Sequence, residues 1–115
     1  MRRGDIWLFD LEPAQGSEAN KVRPGIVVSN DGANHAAARS GSGVVTIIPL
    51  TSNTRAVYPF QALLQPAETG LASPSKAQAE QVRSVTVSRA TRLVGSVPGS
   101  VMARVEEALR IHLGL

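Results

Sequence analysis

The sequence predicts an α+β fold in which a curled, barrel-like antiparallel sheet is covered by one C-terminal helix. Short β-branched segments recur before Pro98, turn-forming residues separate them, and the last segment changes to a helical period. The chain has 115 residues, of which 43% are apolar, so it has material for one core. We therefore expect a single domain over residues 1–115.

Six predicted strands contain most of the apolar residues before Pro98. The first, Gly4–Leu11, alternates with period two and has apolar residues on both faces, which predicts a strand covered on both sides. The turn formers Pro13, Gly16, Ser17 and Asn20 predict a loop over Glu12–Val22, and Ser52–Val57 is predicted to be a polar loop that carries Arg55. The other predicted strands are Arg23–Asn30, Val44–Thr51, Tyr58–Leu64, Ser75–Val85 and Leu93–Val97.

Two segments have helical signals. Asp31 can cap a short helical piece through Ala38, in which four alanines favour a helix. Apolar residues then recur at helical spacing from Val101 to His112, so one amphipathic helix is expected to end near Gly114. The same spacing places His112 on the face of this helix that points to the core.

The composition excludes several kinds of site. The absence of cysteine excludes a disulfide scaffold and a thiolate zinc site, and two histidines leave little for a metal centre, so no metal and no cofactor is implied. The 12 Lys+Arg against 9 Asp+Glu give a net charge of +3, which permits an anionic partner such as RNA. An aromatic share of 3% argues against a base-stacking sheet of the RRM type.

The sequence also gives an expectation about compartment. No apolar run reaches the roughly 18 residues that a membrane-spanning helix needs, so no membrane association is expected. The basic start Met1–Arg3 is followed by Gly4-Asp5 and not by the apolar segment of an export signal. We therefore expect a cytoplasmic protein.

Several short motifs occur in a fixed order within these predicted strands and loops. Gly16-Ser17-Glu18 precedes Arg23-Pro24, which opens an aliphatic strand that ends at Ser29-Asn30. Further motifs are Pro49–Asn53, Tyr58–Phe60, Gln78–Ser84 and the ending Glu107–Leu115. In their order and spacing these motifs resemble the MazF/PemK family, the toxin components of bacterial toxin–antitoxin pairs, over essentially the whole chain.

The resemblance implies an SH3-like barrel with a C-terminal helix, as in MazF, PemK and CcdB, and a homodimer. It implies a sequence-specific, metal-independent endoribonuclease of a type II toxin–antitoxin system, which cuts single-stranded RNA and so inhibits translation and growth. The products would be a 2′,3′-cyclic phosphate, or 3′-phosphate, and a 5′-hydroxyl. A small acidic antitoxin would lay a flexible tail across the RNA groove, and DNA would be contacted only through the toxin–antitoxin complex.

Arg23 and Thr51 match the catalytic pair of the family. RNA carries its own nucleophile, so the protein has to hold the strand, stabilise charge on the phosphorane and move two protons. An arginine guanidinium stays charged near neutral pH, so we expect Arg23 first to clamp the phosphate and second to donate a proton to the 5′-oxygen. Thr51 would donate its hydroxyl to the same phosphate, and Glu18 is the nearest carboxylate in the motifs that could assist the 2′-hydroxyl.

Loops and one strand supply candidates for binding the rest of the RNA. Basic side chains would follow the phosphate backbone, and amide side chains would read base edges. For any single basic residue, a solvated surface position is the plainer interpretation. The candidates are Ser17, Lys21, Ser52, Asn53, Arg55, Lys76, Gln81 and Arg83.

Three alternatives stay open from the sequence. A non-enzymatic toxin of the CcdB type, which poisons DNA gyrase, would have the same fold, although Arg23 and Thr51 favour the RNA-cleaving branch. A ribonuclease with paired imidazoles would need His35 and His112 to meet. A small adaptor for proline-rich peptides would need clustered aromatic residues.

Overall fold

Seven antiparallel strands and three helices form the part of the chain that the computed structural model describes, residues 1–12, 15–18 and 21–115. The predicted loop Glu12–Val22 is therefore described only in part. The α+β class, with an antiparallel sheet and a C-terminal helix, is confirmed. The strands are β1 (Asp5–Asp10), β2 (Val22–Val27), β3 (Val44–Thr51), β4 (Gln61–Leu64), β5 (Ser75–Gln78), β6 (Arg83–Thr86) and β7 (Ala90–Ser96), and the helices are α1 (Asp31–Ser40), α2 (Pro66–Thr69) and α3 (Gly99–Leu113).

The strands follow the order β4-β5-β3-β2-β1-β7, and β6 pairs with the first half of β3. The predicted strand Val44–Thr51 has the bounds of β3. Four other predicted strands are present with ends shifted by up to three residues, namely Gly4–Leu11, Arg23–Asn30, Tyr58–Leu64 and Leu93–Val97.

The prediction of one strand over Ser75–Val85 was wrong, because this segment forms two strands with a short 3₁₀ turn, Ala79–Gln81, between them. Both strands pair with the same side of β3. Val44 of β3 faces Thr86, whereas Leu50 faces Ala77, so the two pairings are offset by three residues. The turn accommodates this offset and breaks the strand.

Two apolar clusters pack on opposite faces of the sheet. Successive side chains of a strand point to opposite faces, and Ile26 and Ile48 enter one cluster while their neighbours Val27 and Ile47 enter the other. The site described below lies at the ends of these same two strands. Helix α1 contributes Ala37 to the second cluster. Helix α3 contributes four residues to the first cluster, Val101, Met102, Val105 and Ala108.

The first helix begins one residue earlier than the predicted cap implied. Asn30 is its N-cap, since Asn30 Oδ1 accepts a hydrogen bond from Ala33 N at 2.9 Å. Asp31 lies in the first turn and accepts a hydrogen bond from Arg3 N at 2.7 Å. The carboxylate predicted to cap the helix therefore connects the helix to the N-terminal segment.

The last helix ends before Gly114, which has a left-handed φ of 72°, as the sequence predicted. The placement of His112 against the core was wrong, because His112 is exposed. The buried positions of α3 stop at Ala108, and every residue from Ile111 onward is exposed. The helical spacing of residues continues to His112 in the sequence, but the last turn of α3 extends past the part of the helix that packs on the sheet.

The short helix α2 was not predicted, since four residues are too few to show a period. It follows the edge strand β4 and contacts the other edge strand, β7. A Cβ added to Gly95 would lie only 2.4 Å from the carbonyl oxygen of Thr69. A glycine in β7 therefore allows α2 to bridge the two edges of the sheet.

Gly95→Ala is expected to lower the free energy of unfolding by about 2–3 kcal/mol, because backbone atoms must move to admit the new methyl group. Urea unfolding measures this. Gly99→Ala is the matched control, since nothing lies within 4 Å of the added Cβ there. Equal unfolding midpoints for the two variants would contradict the close approach of α2 to β7.

Glu68 connects α2 to α3 and gives the fold a dependence on pH. Its carboxylate accepts hydrogen bonds from Gln65 N at 2.9 Å and from Arg104 Nη2 at 2.6 Å. The Gln65 amide, and after it Arg104, lower the pKa of Glu68 below its ordinary value of 4.5. Because the folded state has the lower pKa, the stabilisation is complete above that ordinary value and is lost as pH falls through the folded pKa.

Glu68→Gln is therefore expected to lower the melting temperature most at neutral pH and progressively less as the medium becomes acidic. Thermal unfolding of both proteins between neutral and acidic pH measures the difference. A difference in melting temperature that stays the same at every pH would contradict this role of Glu68.

Candidate active site

Arg23 and Thr51 lie at the ends of neighbouring strands. The pairing of β2 with β3 runs from Val27 to Gly25, which faces Pro49, and the same register extended by two residues places Arg23 opposite Thr51. Opposite residues of antiparallel strands have their side chains on the same face. The register therefore places Arg23 and Thr51, which are 28 residues apart in the sequence, at neighbouring strand ends.

A surface cavity of about 370 Å³ lies at these two strand ends. Its volume is in the range of ligand pockets. Arg23 and Thr51 both line it, so the two predicted catalytic residues border one space. The rest of the lining is partly apolar and partly hydroxylated, and consists of Pro24, Leu50, Ser52, Leu71, Ala72, Ser73 and Ser75.

The segment between α2 and β5 forms a wall of this cavity that the sequence did not predict. Leu71, Ala72 and Ser73 belong to it, and Ser75 begins β5. None of these side chains is charged, and a segment with Gly, Ser and Pro reads equally well as an ordinary turn. The pairing of β5 with the end of β3, a long-range contact, brings this segment next to Thr51.

The turn after Thr51 fixes its hydroxyl. Thr51 Oγ1 accepts a hydrogen bond from Asn53 N at 3.2 Å, and Asn53 Oδ1 accepts one from Arg55 N at 3.3 Å. The oxygen of Thr51 is thus held as an acceptor, which leaves the hydroxyl proton for donation. Ser52 and Arg55 are exposed on the same loop.

The loop between β1 and β2 carries three predicted site residues, Ser17, Glu18 and Lys21, and all three are exposed. Glu18 does not line the cavity, and its Oε1 accepts a hydrogen bond from Gln15 N at 2.7 Å. Gln81 Nε2 donates to the carbonyl oxygen of Ser17 at 2.9 Å and connects the loop to the 3₁₀ turn. The assistance of Glu18 to the 2′-hydroxyl stays a prediction.

Lys76 and Arg83 lie in surroundings that differ from those expected of residues that follow a phosphate backbone. Lys76 is 8% exposed, and its ammonium donates to the carbonyl oxygen of Ala56 at 2.6 Å. Arg83 is half-buried, and its Nη1 is enclosed without a hydrogen-bond partner among the described residues. Of the predicted basic contacts, Lys21 and Arg55 are the exposed ones.

The two histidines do not meet. His35 is exposed on α1, His112 is exposed on the last turn of α3, and neither lines the cavity. The described ranges contain no group of three or more His, Asp or Glu side chains that could hold a metal ion. In the same part of the chain, no helix has the length and apolar character needed to cross a membrane.

Comparison with known proteins identifies the family. Residues 2–113 match the family described as PemK-like, MazF-like toxin of type II toxin–antitoxin system. The chain is 55% identical over 115 residues to Endoribonuclease MazF9 of Mycobacterium tuberculosis, an alignment that covers 100% of this chain and 98% of that protein.

Solved structures have the same fold. MazF from Deinococcus radiodurans is 25% identical, with a TM-score of 0.80 over 100% of this chain and 97% of that one. An endoribonuclease from a Mycobacterial species, solved in complex with its cognate antitoxin, is 23% identical, with a TM-score of 0.78 over 100% and 96% of the two chains. The chain therefore belongs to the PemK/MazF family, the endoribonuclease toxins of type II toxin–antitoxin systems.

Proposed function

We propose that this toxin cleaves single-stranded RNA at specific short sequences in the cavity lined by Arg23 and Thr51, and that the reaction needs no metal. One observation carries the proposal: Arg23 and Thr51, which come from two different strands, line the same cavity. The RNA supplies the nucleophile, so the protein needs only to orient the strand and stabilise the charge that develops.

In the proposed reaction the 2′-oxygen attacks the adjacent phosphorus and the bond from phosphorus to the 5′-oxygen breaks. The 2′-hydroxyl loses its proton, and the departing 5′-oxygen gains one. The products are a 2′,3′-cyclic phosphate, which can open to a 3′-phosphate, and a 5′-hydroxyl. Cleavage of messages would then stop translation and growth.

Arg23 has the largest role in this scheme. Its planar guanidinium can donate to two non-bridging phosphate oxygens at once, and the charge on these oxygens grows as the phosphorane forms. Thr51 donates its hydroxyl to the same phosphate or to the 5′-oxygen, since its own oxygen is already occupied by Asn53 N. Glu18, on the β1–β2 loop, is the proposed acceptor of the 2′-hydroxyl proton.

The rest of the strand would extend along the exposed loops on either side of the cavity. Lys21 and Arg55 are proposed to contact phosphates, and Asn53 to contact a base edge. The serines at 17 and 52 would donate hydroxyl hydrogen bonds. Because Ser73 and Ser75 line the cavity beside Leu71 and Ala72, this wall is placed to contact the nucleotide next to the cleaved phosphate.

The proposed partners follow from the family and the charge. An acidic antitoxin segment would cover the cavity and exclude RNA, and one structural relative was solved with its cognate antitoxin. The net charge of +3 favours such a segment. We place the toxin in the cytoplasm as a homodimer that reaches DNA only through the antitoxin complex, and size-exclusion chromatography should give twice the 12.1 kDa of the chain.

The decisive experiment is incubation of the purified, antitoxin-free protein with a long single-stranded RNA in an excess of chelator. We expect cuts at a few positions that share a short sequence, with 5′-hydroxyl ends. The same RNA annealed to its complement should stay intact. Uncut single-stranded RNA in the presence of folded toxin would contradict the proposal.

A further inference from the structure

A buried lysine lies directly beside Thr51. Thr51 and Lys76 are opposite each other in the pairing of β3 with β5, and their side chains share a face of the sheet. The register of β2 with β3, extended by two residues beyond Gly25 and Pro49, places Arg23 on the other side of Thr51. Lys76 is only 8% exposed, so the protein covers most of its side chain.

The ammonium of Lys76 binds the loop that follows Thr51. Nζ donates to the carbonyl oxygen of Ala56 at 2.6 Å and lies 5.8 Å from the centre of the Tyr58 ring. The ring of Tyr58 is stacked on Phe60, with 5.4 Å between centroids and 7° between planes. One side chain of β5 thus contacts both the backbone and an aromatic ring of the segment 52–60, the β3–β4 loop.

Two other sets of contacts hold the β3–β4 loop, one at each end. At the start, Asn53 N donates to Thr51 Oγ1. At the end, Tyr58 N donates to Gln61 Oε1 at 3.1 Å, while Gln61 Nε2 donates to Glu80 at 2.5 Å. Lys76 contacts the middle, so without it the loop between Asn53 and Tyr58 would lose this hydrogen bond to β5.

A gain in the stability of the fold does not by itself explain why position 76 is a lysine and not an apolar residue. Burying an ammonium is costly unless a carboxylate pairs with it, and none of the ion pairs among the described residues involves Lys76. A methionine would fill most of the same space without that cost. We propose that Lys76 is a positioning residue, which holds the β3–β4 loop so that the hydroxyl of Thr51 keeps its orientation in the cavity.

This inference rests on the proposed function, and the test is a double-mutant cycle with Thr51. Lys76→Met removes the ammonium, and with it the donor and the charge, but keeps an unbranched side chain as long as the lysine stem up to Cε. We expect kcat on an oligonucleotide that carries a mapped cleavage site to fall about tenfold with KM changed less than about twofold. In a Thr51→Ala background, Lys76→Met should lower kcat by less than about twofold, because its effect passes through Thr51.

Tyr58 supplies a second readout, because it is the only tyrosine of the chain. In protein labelled with fluorotyrosine, the single ¹⁹F resonance should shift and sharpen in Lys76→Met as the ring loses the ammonium and the loop moves. Arg39→Met is the matched control: it removes one positive charge from an exposed position on α1, and should change neither kcat nor the resonance. Lys76→Gln, a shorter neutral side chain, replaces the methionine variant if that variant unfolds.

The outcomes separate this inference from the proposed function. A wild type that cleaves RNA beside an equally active Lys76→Met overturns the positioning role alone. A rise in KM with an unchanged kcat also overturns the positioning role, because it would indicate that Lys76 attracts the RNA by its charge. The same tenfold loss of kcat in both the wild-type and the Thr51→Ala backgrounds overturns it as well. A folded wild type without activity overturns the proposed function and this inference with it.

Discussion

Arg23→Ala is expected to slow RNA cleavage by at least about a hundredfold while leaving the protein folded. Removal of one donor that stabilises charge in a transition state costs about 2.7–4 kcal/mol, and Arg23 is the arginine among the residues that line the cavity. Single-turnover cleavage of an oligonucleotide with a mapped site measures the loss. Circular dichroism and thermal unfolding establish that the variant is folded, as expected for a half-buried side chain at the end of a strand.

Arg23→Lys is the control that separates charge from geometry. A lysine keeps the positive charge but cannot donate to two phosphate oxygens in one plane. We expect it to recover part of the activity and to remain at least about tenfold below the wild type. An alanine variant that cleaves within threefold of the wild type would remove Arg23 from the mechanism.

Thr51→Ala is expected to have the second largest effect, a loss of about thirty- to a hundredfold in the rate of cleavage. The variant loses the hydroxyl donor to the phosphate and also the acceptor for Asn53 N, so the turn after β3 loosens. Single-turnover cleavage of the same oligonucleotide measures this loss. The effect is smaller than that of Arg23→Ala because a neutral donor stabilises developing charge less than a guanidinium does.

Two further substitutions at position 51 test the hydroxyl itself. Thr51→Ser keeps the oxygen and should cleave within about threefold of the wild type. Thr51→Val keeps the shape without the oxygen and should be as slow as Thr51→Ala. If the valine variant retained the wild-type rate, the hydroxyl would have no part in the reaction.

Prediction from the sequence succeeded for elements whose local signal agrees with their position in the sheet. The β-branched run Val44–Thr51 is strand β3 with the predicted bounds, since it is bounded by turn formers and residues 47–50 are buried on both faces. The prediction of one strand failed over Ser75–Val85, where the offset between two pairings with β3 forces a 3₁₀ turn. The prediction from helical spacing also failed at His112, where the period of the helix continues beyond the core.

The candidate site, like the fold, was predicted from the sequence only in part. The sequence pointed to Arg23 and Thr51, and the sheet register brings them to one cavity. The wall formed by Leu71, Ala72 and Ser73 depends on where β5 pairs, and no local pattern indicates it. The burial of Lys76 likewise depends on long-range packing, because a lysine between Ser75 and Ala77 reads as a surface residue from sequence alone.

The central claim is that the cavity of Arg23 and Thr51 accelerates attack by the 2′-hydroxyl of the RNA itself. The most direct test uses two oligonucleotides with the mapped cleavage site, one all-ribose and one with a single 2′-deoxy nucleotide on the 5′ side of the scissile bond, both in excess chelator. We expect the all-ribose strand to be cut to a cyclic phosphate and a 5′-hydroxyl, and the 2′-deoxy strand to stay intact at that bond. Cleavage of the 2′-deoxy strand there, or a 5′-phosphate on the product, would contradict the claim.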